Sequence, residues 1–233
     1  MQYQGGKSYA SKQIADYINT YSADKLYFEP FCGGLSVSVL VKAKELFLSD
    51  ANLPLINLYT AMQRGWVPPS VVTEETYARY KDIRDHEDPM TAFVGIGCSW
   101  GAKWFGGYAR NKKNDQYAAR SARSLLKKFG LLRDKTVEFA SMDYLLLNPS
   151  NAVIYCDPPY KALTNFKYAS DFDHDEFWQT MRMWSKNNVV IISHYDAPFD
   201  FKCVKEIPTV HGIRRTNKEK SWDGKVERLW MIK

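Results

Sequence analysis

The chain has 233 residues, 45% hydrophobic and 25% charged, which suits one ordinary globular domain and excludes a disordered or fibrous chain. No apolar run approaches the ~18 residues of a membrane span, and Met1-Gln2-Tyr3-Gln4-Gly5-Gly6-Lys7 lacks the apolar stretch of a signal peptide. The formal charge of +6 is uneven: residues 101–135 carry ten basic side chains against two acids, residues 202–233 carry nine against four, and the remainder is acidic at −7.

In chain order, Ile14, Tyr17, Ile18 and Tyr21 follow helical spacing and predict a helix over Ser8–Tyr21. Leu26-Tyr27-Phe28 reads as a strand that runs into Glu29-Pro30 and a glycine pair. A helix is expected over Ser36–Lys44, a second strand at Leu46–Leu48 ending at Ser49-Asp50, and a helix over Leu53–Met62. Alternating strands and helices imply a mainly parallel α/β sheet. Pro68-Pro69 interrupts this rhythm, and Thr73–Phe129 shows helical stretches and a glycine-aromatic loop but no strand. The rhythm returns at Val137-Glu138-Phe139. Ala152–Cys156 and Val189–Ser193 read as buried strands flanking a helix over Phe172–Lys186, and Thr209–Ile232 as a hairpin turning near Trp222-Asp223-Gly224. The expected fold is therefore an α/β, mainly parallel Rossmann-like sheet built from 1–62 and 136–233, with 63–135 as a helical insertion. Cys32, Cys98, Cys156 and Cys203 lie 66, 58 and 47 residues apart, which fits neither a zinc site nor a disulfide framework. Reduced thiols in a cytoplasm, and no metal, are expected.

The chemistry concentrates in Asp157-Pro158-Pro159-Tyr160, at the carboxyl end of a buried strand, where open α/β sheets bind ligands. An acidic acceptor, a proline-fixed backbone carbonyl and an aromatic face together suit a planar aromatic amine. The alternative is a turn without chemistry. Upstream, Phe31-Cys32-Gly33-Gly34-Leu35-Ser36 allows close backbone approach to a ligand, and Asp50, 21 residues after Glu29, suits a carboxylate gripping ribose hydroxyls. For Asp50 the alternative is a helix N-cap. Neither a Gly-x-Gly-x-x-Gly turn nor a Gly-Lys-Ser/Thr phosphate loop is present, so the expected cofactor is a nucleoside without phosphates.

With Tyr3-Gln4-Gly5-Gly6-Lys7 ahead of them, these elements resemble the Dam-type (D12 class) DNA adenine N6-methyltransferases, in their phage-like branch, whose glycine loop also reads Phe-Cys-Gly-Gly-Leu-Ser-Val-Ser as Phe31–Ser38 do. The order of motifs matches along nearly the whole chain, including a terminal basic hairpin with Lys218, Glu219, Lys220 and Asp223. The resemblance implies S-adenosylmethionine as cofactor, flanked by Tyr3 and Lys7, lined by Phe31 and Gly33, held through its ribose by Asp50 and bordered by Asp157. Lys7 has a plainer reading as an exposed lysine before a helix. Asp157, Pro158, Pro159 and Tyr160 would act on a flipped adenine. Double-stranded DNA would meet Lys103, Arg110, Asn111, Lys112, Lys113, Arg120 and Arg123 in the insertion, and Arg214, Arg215 and Lys218 near the end; a solvated helix face is the alternative for the insertion. Cys98–Asn111 departs from relatives that read GATC, so that target is not carried over. Asp143 is read either as a contact to the cofactor's adenine or as a solvated loop acid, and His194 as a hydrogen-bonded loop histidine. Other readings are an N4-cytosine or RNA substrate, a nicotinamide-dependent oxidoreductase, which the missing third glycine opposes, and a non-catalytic nucleic-acid-binding module, which has no use for an amine-polarising acid.

Overall fold

The continuous apolar runs become the central strands of one sheet. In the computed structural model, which describes residues 1–110, 117–160, 172–208 and 226–233, these are β1 (Tyr27–Glu29), β2 (Glu45–Asp50), β3 (Thr136–Ser141), β4 (Val153–Cys156) and β5 (Val189–His194). All pair in parallel, and β4 is buried along its whole length between β1 and β5. A strand covered on both faces gains from apolar side chains pointing either way, which is why Val-Ile-Tyr-Cys suits that place. The sheet is completed by β6 (Phe201–Pro208) and β7 (Val226–Ile232), giving the order β3-β2-β1-β4-β5-β7-β6 with β7 antiparallel to both neighbours. The chain thus winds outward from β1 in one direction and from β4 in the other. The point of reversal between β1 and β4 opens the crevice in which sheets of this Rossmann-like kind hold ligands.

Helices cover both faces. On one side lie α1 (Ser11–Ile18), α2 (Leu53–Gln63), α3 (Glu74–Ile83), the short α4 (Pro89–Ala92) continued by a π-helical turn at Phe93–Gly97, and α5 (Tyr117–Leu132). On the other, α6 (His174–Trp184) buries Phe177, Met181 and Trp184. Asp173 caps α6 by accepting from the amides of Asp175 and Glu176, and Asn52 caps α2 by accepting from Leu55. Tyr77, Phe93 and Leu125 of the helical segment belong to the same core as Ile14, Leu55 and Leu229. The stretch 63–135 therefore packs on the sheet through one continuous core. No helix among the described residues is long and apolar enough to cross a membrane.

Two expectations need correction. Ser36–Lys44 is not an α-helix: it turns at Ser36-Val37, makes one 3₁₀ turn at Ser38–Leu40 and becomes extended at Val41. Val37, Ser38 and Val39 are buried in succession and Val41 and Ala43 alternate with the exposed Lys42 and Lys44, a pattern that no single helical face satisfies. The left-handed backbone at Leu35 (φ 56°) also prevents a helix from starting there. The terminal hairpin begins earlier than Thr209: its first arm is Phe201–Pro208, paired with Val226–Ile232. The expected turn at Trp222-Asp223-Gly224 lies outside the described residues.

Candidate active site

Alternation along the strands brings a set of polar side chains to one face of the sheet at its carboxyl edge. Glu29 shares a face of β1 with Tyr27, and Asp157 follows β4 on the face that carries Tyr155. Because β7 runs antiparallel, its beginning lies at that same edge, and Glu227 shares a face with the buried Leu229. Lys7, brought in by the segment before α1, is 5% exposed and places its Nζ 2.5 Å from Asp157 Oδ1 and 4.0 Å from Glu227 Oε2. The Tyr160 hydroxyl lies 3.0 Å from both Asp157 Oδ1 and Glu227 Oε1, and Tyr9 donates to Glu227 Oε2 at 2.7 Å. The Lys7 ammonium also sits over the Tyr160 ring, 4.6 Å from its centroid. Lys7 is thus no exposed lysine, and Asp157 and Tyr160 are parts of a network spanning the chain.

Electrostatics in this group are set by burial. Burial pushes the Asp157 carboxyl up from the usual range, Lys7 opposes that shift, and the Glu227 charge adds to it. Glu29 is pushed up to about 8 mainly by burial, although it accepts from the Tyr27 hydroxyl at 2.7 Å. Lys128, whose Nζ bonds the Gly34 carbonyl, is lowered to about 8 by burial. One ammonium, Lys7, therefore faces two carboxyl groups, the partly buried Asp157 and the buried Glu227. Acceptors outnumbering the one cation among them suit a cationic ligand.

The expected cofactor residues lie along the same edge. Gly33 has φ +41°, and a Cβ there would come within 2.9 Å of the Tyr3 ring; one on Gly34 would come within 2.7 Å of Tyr3 Cβ. The glycines let Tyr3 lie directly on the loop. Asp50 accepts from the amides of Gly33 (2.9 Å) and Asn52 (3.0 Å), which ties the loop to β2. Asn52, not Asp50, caps α2, which removes the N-cap reading of Asp50. The carboxylate is raised by burial, and its two oxygens have acceptor sites beyond the two amides. That spare capacity matches a ribose diol, and the negative pocket at Lys7 matches a sulfonium, so this donor set fits S-adenosylmethionine. Phe31 packs its ring 5.2 Å from Tyr144 and 6.1 Å from Phe177. Asp143 is exposed and caps the turn Tyr144–Leu146. His194 ends β5 rather than lying in a loop; its Nδ1 lies 2.7 Å from the Asp196 carbonyl.

Lys103, Arg110, Arg120 and Arg123 are exposed on the helical segment, and Arg110 is ion-paired with Glu74. Asn111, Lys112, Lys113, Arg214, Arg215 and Lys218 lie outside the described residues. Lys128 and Lys135, counted among the ten basic residues of 101–135, turn inward instead, Lys135 reaching the Val41 and Ala43 carbonyls. Sequence reasoning missed Glu227 and Tyr9. An acid placed between Val226 and Arg228, on the strand face that continues through Leu229 and Met231, was the available sign. Among the described residues no group of three or more His, Cys, Asp or Glu is placed to hold a metal ion.

The family described as D12 class N6 adenine-specific DNA methyltransferase matches residues 3–96 and 98–213. No curated protein matches the chain. Solved structures overlap with it only loosely. The rRNA methyltransferase aviRa from Streptomyces viridochromogenes is 11% identical, covering 94% of this chain and 81% of its own, with a TM-score of 0.40. The tRNA (m1A58) methyltransferase TrmI from Aquifex aeolicus is 12% identical, covering 100% and 69%, at 0.42. A precorrin-6y C5,15-methyltransferase from Geobacter metallireducens is 9% identical, covering 99% and 95%, at 0.41.

Proposed function

The chain belongs to the D12 class of N6 adenine-specific DNA methyltransferases, and from that premise we propose that it methylates adenine at a specific sequence in duplex DNA after flipping the base into the Asp157 site. The observation that carries this reading is the position of Asp157: a partly buried carboxyl group at the carboxyl end of β4, beside the reversal point of the sheet and within reach of Lys7 and Tyr160. S-adenosylmethionine is the cofactor, and when bound it supplies an electrophilic methyl group on a positively charged sulfur. Asp50, Gly33 and Tyr3 would hold its nucleoside, with Phe31 and Lys7 at its borders.

Adenine N6 is a weak nucleophile because its lone pair is delocalised into the ring. In this reading Asp157 and the Pro158 carbonyl accept the two N6 hydrogens, which localises the lone pair on nitrogen, while Pro159 fixes the backbone. Catalysis is then positioning and charge stabilisation by groups already in place. Extruding the base costs a few kcal/mol, and stacking on Tyr160, worth ~1–3 kcal/mol, offsets part of that. In the structure the Lys7 ammonium lies over one face of that ring. The outward side chains Lys103, Arg110, Arg120 and Arg123 would meet phosphates, which set affinity rather than sequence.

Mapping modified bases in DNA from cells expressing the wild-type protein or Asp157→Asn tests this. N6-methyladenine at one recurring sequence, lost with the variant, is expected. An equal map from both proteins would reduce Asp157-Pro158-Pro159-Tyr160 to a turn, and modified cytosine would move the substrate to that base.

A further inference from the structure

Glu227 has no part in the methyl-transfer step above beyond its share of the site's charge, yet it is 2% exposed and is bonded by two hydroxyls. A carboxylate buried this deeply is retained at a cost unless its partners compensate. Two of its partners, Tyr160 and Lys7, are also those of Asp157, while Tyr9 bonds Glu227 alone. The Tyr160 hydroxyl has one proton and two carboxylate oxygens at 3.0 Å, so it donates to one at a time. The Lys7 ammonium pairs with Asp157 at 2.5 Å while Glu227 Oε2 waits at 4.0 Å. A shift of little more than 1 Å would bring it to the ~2.8 Å of a charged hydrogen bond with Glu227.

In the arrangement observed, Lys7 already engages both groups that the proposed reaction uses. Its charge offsets that of the carboxylate meant to accept an N6 hydrogen, and its Nζ lies over one face of the Tyr160 ring. We infer that Glu227 is a positioning residue, a second carboxylate that takes the Lys7 ammonium and the Tyr160 hydroxyl when the target amine reaches Asp157. The exchange keeps every donor bonded and leaves the pocket's total charge unchanged, so it needs no proton transfer. It rests on the reading of Asp157 as the acceptor for the N6 hydrogens.

The test is a double-mutant cycle between Lys7 and Glu227, read as the single-turnover rate of methyl transfer from labelled S-adenosylmethionine to unmethylated genomic DNA, with enzyme in excess over sites. Glu227→Gln should fold, bind DNA within about twofold of wild type by filter binding, and lose roughly tenfold or more in rate at saturating S-adenosylmethionine, where any weakening of cofactor binding does not enter, as coupled charged neighbours do. Placed on Lys7→Met, the same change should cause no further loss, and Glu227→Asp should recover part of the rate because it keeps the charge. If Glu227→Gln does not fold, Glu227→Asp takes its place in the cycle. A wild-type rate for the Glu227 variant, or losses that simply multiply with those of Lys7→Met, would overturn the inference. Asp157→Asn separates this failure from that of the parent reading: if it keeps the wild-type rate, the role of Asp157 falls. If it is inactive while Glu227→Gln is unaffected, only the role given to Glu227 falls.

Discussion

Replacing Asp50 with alanine probes the cofactor site away from the reacting atoms. In the folded protein its carboxylate accepts from Gly33 at 2.9 Å and from Asn52 at 3.0 Å, with burial raising its pKa. Two effects follow. Two backbone amides lose their acceptor at about 1–3 kcal/mol each, partly offset because an unpaired buried charge also disappears, so a net loss of ~1–3 kcal/mol is expected. For a chain of this size that is a fall in Tm of roughly 2–10 °C. Separately, a ribose hydroxyl loses a charged acceptor worth ~1.5–3 kcal/mol, so S-adenosylmethionine should bind about 10–150-fold more weakly. Calorimetry well below the transition, on protein shown by circular dichroism to be folded, separates the two. Asp50→Asn is the control, since it keeps one acceptor for the loop and loses the charge. Wild-type affinity in folded Asp50→Ala would remove Asp50 from the site, leaving it as the tether of the glycine loop.

Two further outcomes are expected. Neutralising Lys103, Arg120 and Arg123 together should lower the log–log salt slope of DNA binding by about 0.9 per lost phosphate contact; an unchanged slope in filter binding would make this face merely solvated. Glu29 has a folded pKa of about 8 against an ordinary 4.5, so the native state holds a proton that the unfolded state releases between those values. Its contribution is complete below pH 4.5 and is lost as pH rises towards 8, so urea unfolding should show Glu29→Gln gaining on the wild type by up to ~4 kcal/mol from pH 5 to pH 8, and a pH-independent gap would refute the protonated acid.

What could be read from the sequence was what burial writes into composition. Val153–Cys156 and Val189–Ser193 carry apolar side chains on both faces, so their place as inner strands, and with it the position of Asp157, was legible. The helix expected over Ser36–Lys44 is replaced by a 3₁₀ turn because Leu35 is left-handed and the chain must then run extended into β2, constraints set by the fold and not by these side chains. Phe201–Pro208 escaped notice because a register shift between Cys203 and Lys205 breaks its alternation, and its outer edge has no strand partner to demand apolar side chains. Glu227 was hidden for a different reason. Its meaning comes from Tyr160 and Tyr9, 67 and 218 residues away, and no local pattern encodes such neighbours.

The antiparallel seat of β7 bears on synthesis. The ion pair of Lys7 with Asp157 closes over 150 residues and the bond of Tyr9 to Glu227 over 218. On a ribosome, the parallel strands β1 to β5 emerge with both Lys7 and Asp157, while the strand that brings Glu227 and divides β5 from β6 follows the other six. Contacts of such long sequence separation form late, because their loops must close before they return any stabilisation. A nascent chain arrested before Val226 therefore holds Lys7 and Asp157 without the carboxylate that shares their neighbourhood, and the group is completed only when β7 takes its place beside β5.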